Sequence, residues 1–153
     1  MDKASRKAKT ASFVGIPHYV MQSESYANLS TQAIEVLNWV LYQFRGSNNG
    51  NLVITWDEYS KVLSFGSNNT FRKALKNLTD NELLVISGTG TTNRARGKPP
   101  HLYAITWLNI DDCRGSSTRF IGSTRTPYRT SWEQSESAIS FRNSIFKAYK
   151  QSG

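Results

Sequence analysis

The spacing of apolar positions changes character several times after residue 30, and each change marks a different element. Ala33, Leu37, Val40, Leu41 and Phe44 recur at three- and four-residue steps, which puts them on one stripe of a helix. Ser30 stands where that helix needs an N-cap, and the polar run from Gly46 to Gly50 ends it. Leu52-Val53-Ile54 is a short β-prone run, followed by Thr55-Trp56-Asp57-Glu58. That tetrad has the form of a capping box, in which Thr55 caps a second helix and Glu58 returns a bond to the cap backbone. Trp56, Tyr59 and Leu63 share one face of the second helix, Phe65-Gly66 supplies a turn, and Ser67 caps a third helix.

In the third helix Phe71, Ala74, Leu75 and Leu78 fall within one arc, while Asn69, Arg72, Lys73 and Lys76 fall on the other side, so a buried and a basic face separate. Asp80-Asn81-Glu82 breaks the pattern. Leu83-Leu84-Val85-Ile86 then reads as a strand and Leu102 to Trp107 as a second one, joined by a long polar loop from Thr89 to Pro100. Pro17 disfavours helix for Ile16, so the Phe13 to Pro17 lead-in reads as extended. The predicted organisation is a basic arm over 1–12, a folded domain over 13–110, a Ser/Thr/Arg-rich linker over 111–130 and a terminal helix over 131–153. Trp132, Ile139 and Phe146 give that last helix an apolar edge, suited to folding back on the core or to pairing as a homodimer. Trp39 and Tyr42 lie off the main stripe of the first helix, and a cover from outside the minimal fold is expected there.

Composition narrows the partner. The chain has 153 residues, and its net charge of +8 with a pI near 9.8 points to nucleic acid or an anionic surface. No apolar run reaches the length of a membrane span and no apolar signal core follows Lys3, Arg6, Lys7 and Lys9, so a cytoplasmic, nucleoid-associated protein without membrane contact is expected. Cys113 is the sole cysteine, which rules out an intrachain disulfide. His18 and His101 stand in no catalytic motif, Asp111-Asp112 has no further ligand at a recognisable spacing, and no phosphate-binding GxxxxGK run is present. A non-catalytic protein without metal or cofactor is the expectation.

The order helix, short strand, helix, helix, strand, loop, strand over about Ser30 to Trp107 resembles the winged helix-turn-helix family. The Ile16-Pro17 lead-in, Leu29-Ser30, Asn48-Asn49-Gly50 and Leu102-Tyr103-Ala104-Ile105-Thr106-Trp107 are similar to small helix-turn-helix proteins encoded on prophages and plasmids. The resemblance implies an α+β fold, with a three-helix core and a small antiparallel sheet carrying the wing, that binds double-stranded DNA through its third helix. Arg72 and Asn69 then become the base-reading candidates, because Arg matches guanine and Asn matches adenine with two hydrogen bonds each. Asn68 and Thr70 suit phosphate or sugar contacts near the helix N-terminus, and Lys73 and Lys76 suit phosphates. Arg94, Arg96 and Lys98 in the wing loop suit the backbone or a narrow minor groove, and the loop carries no large apolar wedge for kinking DNA. Transcriptional regulation is the leading role, with a replication-associated factor and a protein-interaction module as alternatives. Single-strand binding calls for aromatics interleaved with basic residues, which the basic face and the wing lack.

Overall fold

The computed structural model describes residues 12–62, 66–90, 100–112, 122–136 and 140, together with the backbone of 117–120. The fold is α+β. Two short helices, α1 (His18–Met21) and α2 (Glu24–Ala27), precede α3 (Thr31–Gln43), β1 (Leu52–Val53), α4 (Trp56–Val62), α5 (Asn68–Asp80), β2 (Leu84–Gly90), β3 (His101–Ile105) and β4 (Ser117–Phe120).

Helix α3 starts where Ser30 Oγ accepts the Ala33 N–H at 3.1 Å, leaving one fewer unsatisfied donor in the first turn. It buries Ala33, Val36, Leu37, Val40 and Leu41. Val36 therefore belongs to the stripe, whereas Phe44 is the C-cap and only partly buried. Helix α5 buries Phe71, Ala74 and Leu78, with Leu75 partly buried against the same core. Asn77 Oδ1 accepts the Ser30 N–H at 3.0 Å, so α5 also anchors the entry to α3. Tyr59 of α4 lies between its neighbours, with ring centroids 4.8 Å from Phe71 and 5.6 Å from Trp39, the latter edge-on. Trp39, expected to need an outside cover, thus finds one face of its own within the domain.

The sheet is antiparallel throughout, in the order β1-β3-β2-β4. Leu52 pairs with Tyr103 and Leu84 with Ile105, and β2 carries an irregularity between Ile86 and Gly88. Strand β2 runs on to Gly90, taking in Thr89 and Gly90 that were expected in the loop, while Thr106 and Trp107 turn out of β3. Asn49 is wholly buried and braces this end of the sheet. Its Nδ2 donates to the Ile105 and Asn109 carbonyls at 3.0 and 2.8 Å, and its Oδ1 accepts the Ile105 N–H at 2.6 Å. Asp111 completes the brace, its carboxylate accepting the Asn49 N–H at 2.8 Å.

Where a linker was expected over 111–130, the chain adds β4 to the outer side of β2 and then follows the domain surface. The Thr124, Arg129 and Ser135 N–H groups donate to the Ile110, Thr106 and Gln22 carbonyls at 2.9, 2.8 and 2.7 Å. The Arg129 guanidinium lies 4.1 Å from the Trp132 ring centre and donates to Ser25 Oγ and the Asn81 carbonyl. Trp132 accordingly folds back on its own chain and packs against the core rather than standing out for a second copy. Residues 131–135 are not helical; helical turns are described at 136 and 140, and the expected contacts of Ile139 and Phe146 lie outside the described residues, as does the basic arm up to residue 11.

Burial raises the Tyr59 hydroxyl from 10.0 to about 12, with the Glu35 carboxylate adding to the effect. A phenol whose pKa is raised on folding contributes stability below its unfolded pKa and loses it as pH climbs through the folded value. Stability should therefore fall between about pH 10 and 12, by on the order of 3 kcal/mol for this group. Tyr59→Phe should flatten part of that decline in melting curves recorded across the window, and Tyr103, whose pKa burial also raises, acts in the same direction.

Candidate nucleic-acid interface

The corner between α4 and α5 sets the direction of the candidate surface. Thr55 Oγ1 accepts the Glu58 N–H at 3.4 Å, which is one half of the expected capping box; the Glu58 carboxylate is engaged with Lys61 at 3.4 Å. Gly66 has φ of 69°, a left-handed conformation that favours glycine, and a Cβ there would also lie 3.1 Å from Thr70 Cβ. Ser67 follows in extended geometry and caps α5, its Oγ accepting the Thr70 N–H at 3.3 Å. Residues 63–65, including Leu63 and Phe65, lie outside the described residues.

Beyond that cap the two faces of α5 separate as the periodicity predicts. Asn68, Asn69, Arg72, Lys73 and Lys76 are exposed, while Phe71, Ala74 and Leu78 are buried. Thr70 is half-buried, and its hydroxyl lies 3.3 Å from Ser67 Oγ, so it takes part in the cap as well as in the candidate surface. Lys76 is tied to Asp80 one turn on, both side chains being mostly exposed. That pair was legible as an i, i+4 spacing, but Asp80 reads first as part of the helix-breaking Asp80-Asn81-Glu82 run. Arg72 and Lys73 make no ion pair among the described residues.

Arg94, Arg96 and Lys98 fall within 91–99, outside the described residues. The hairpin that carries them is defined at its base, where the Gly90 N–H donates to the Pro100 carbonyl at 2.8 Å. A Cβ on Gly90 would lie 3.2 Å from Pro100 Cγ, so the close strand approach favours glycine there. His101 is exposed at the same base. Chemically, the exposed side of α5 offers a guanidinium, two ammonium groups and two carboxamides on a rigid rod, a set able to grip phosphates and to pair with base edges. No group of three or more potential metal ligands occurs among the described residues.

No protein-family model matches the chain, and no curated protein matches it. Among solved structures, a chain described as "Structure of Rep-DNA complex" superposes with a TM-score of 0.37 and 22% identity, covering 69% of this chain and 82% of that one. That likeness is too distant to carry any residue's role across.

Ser67 orients the helix through its cap, so Ser67→Ala should cost about 1 kcal/mol of stability. Urea unfolding checks this as a lower midpoint with an unchanged slope.

Proposed function

We propose that the protein binds double-stranded DNA as a winged helix-turn-helix, with α4 and α5 as the turn motif, α5 entering the major groove and the β2–β3 hairpin forming the wing. The exposed polar and basic side of α5 carries this reading. The element order from α3 to β3, with β1 pairing on β3, supports the same fold. In this arrangement Asn69 and Arg72 read base edges, Lys73 and Lys76 hold phosphates, and Asn68 and Thr70 meet phosphate or sugar close to the helix N-terminus. Arg94, Arg96 and Lys98 lie along the backbone or in the minor groove. Binding is the whole activity in this reading. No helix among the described residues is long and apolar enough to cross a membrane.

The role we assign is transcriptional regulation on a bacterial chromosome, phage or plasmid. Sequencing of DNA bound in cells tests the assignment: fragments clustered at promoters support it, and fragments clustered at a replication origin would move the protein to replication.

Duplex binding measured over a salt series tests the interface. Combined alanine substitution of Arg72, Lys73 and Lys76 should abolish most of the affinity, and unchanged affinity would sink the recognition-helix assignment. Arg72→Ala should relax preference at one base position at a cost of about 1 to 3 kcal/mol, while Lys76→Ala should weaken all sequences alike and lower the salt slope by about one. Asp80→Asn should act in the opposite direction, raising affinity by releasing Lys76 and removing a negative charge beside the phosphates.

A further inference from the structure

Phe13 is 93% exposed and Tyr42 is 85% exposed, and the two meet at one recess. The recess measures about 590 Å³ and is lined by Ser12, Phe13, Tyr42, Phe44, Arg45 and Gly46. Its volume falls within the roughly 300–1,000 Å³ usual for ligand sites. Among the described residues, that lining holds three aromatic rings and one guanidinium, with neither an aliphatic side chain nor a carboxylate. The adjoining groove differs, pairing Val62 with Trp39 and Tyr42, and Glu35 lies on its wall.

The α3 side of the recess is held in place. Asn48 brackets the end of α3, with Oδ1 accepting the Arg45 N–H at 2.7 Å and Nδ2 donating to the Gln43 carbonyl at 2.9 Å. Gly46 then turns the chain away with φ of 96°. Arg45 makes no ion pair among the described residues.

We infer that this recess binds single-stranded nucleic acid, with unpaired bases stacking on Phe13 and Tyr42 and Arg45 holding the adjoining phosphate. Open aromatic faces beside a cation are the combination that single-strand binding uses, because every base has a π-face and every linkage a charge. The basic side of α5 lacks such aromatics; this surface, built from the entry segment and the end of α3, supplies them. The inference does not depend on duplex binding by α5.

Fluorescence anisotropy of the full chain with labelled oligothymidylate and oligouridylate tests it, the two probes separating DNA from RNA as the strand bound. The wild type should bind at least one probe with salt-sensitive affinity. Phe13→Leu and Tyr42→Leu, which keep apolar bulk but remove the ring face, should each weaken binding by about five- to a hundred-fold, and Arg45→Gln should weaken it with a shallower salt slope. All three side chains are exposed, so thermal midpoints should stay unchanged, and duplex affinity should hold. The inference is overturned if the wild type binds neither strand, if the leucine variants bind as the wild type does, which is the outcome expected of a protein-docking face, or if single-strand affinity is lost only on substituting Arg72 and Lys73.

Discussion

The burial of Phe71, Ala74 and Leu78 of α5 against α3 and the Tyr59 ring is the interaction on which the rest of the structure depends. A helix that commits those three positions to the core has no rotational freedom left, because 3.6 residues per turn then place Asn69, Arg72, Lys73 and Lys76 outward. The other end of the contact is pinned by Asn77, whose side chain accepts the N–H at the start of α3. A cavity in this arc would therefore do more than reduce stability. It would loosen the angle at which α5 presents its outer face, and a shift of about 1 Å is enough to spoil a site built from several side chains.

Periodicity and caps made most of this frame legible. Helices α3, α4 and α5 each begin at a side-chain cap visible in the sequence, at Ser30, Thr55 and Ser67, and their apolar steps predict the buried faces. Strands β1, β2 and β3 follow from β-prone runs, with β2 extended further than its apolar stretch because Thr89 and Gly90 continue the backbone pairing. The failures share one physical origin. Helices α1 and α2 span four residues each, too few to show a period. The strap over 122–136 is held by backbone hydrogen bonds, the Thr124 hydroxyl, Arg129 and the single apolar anchor Trp132, so its Ser/Thr-rich sequence carries no apolar rhythm to read. Arg129 is only 12% exposed although nothing in its local sequence marks it as interior. Likewise, Phe13 and Tyr42 come from separate segments, and only the folded chain brings them to one recess.

Net charge, the plainest signal in the sequence, says least about where unpaired cations lie. Lys61 and Lys76 are each paired with a carboxylate on their own helix, and Arg129 is enclosed between Glu82, Glu133 and Trp132. Exposed pairs of this kind contribute little to stability, typically below about 1 kcal/mol, but they cancel the local field that would draw in a polyanion. Among the described residues, the lysines and arginines without an ion pair are Arg45, Arg72, Lys73 and Arg125. Arg72 and Lys73 stand on the outer side of α5, Arg45 stands in the aromatic recess, and Arg125 lies on the strap. The outer side of α5 and the recess thus differ in chemistry, one an array of carboxamide and cationic groups, the other a set of rings with a single cation. Screening at physiological salt acts over about 8 Å, so the character of each surface is set mainly by its own side chains, and the difference between them lies in what surrounds each charge.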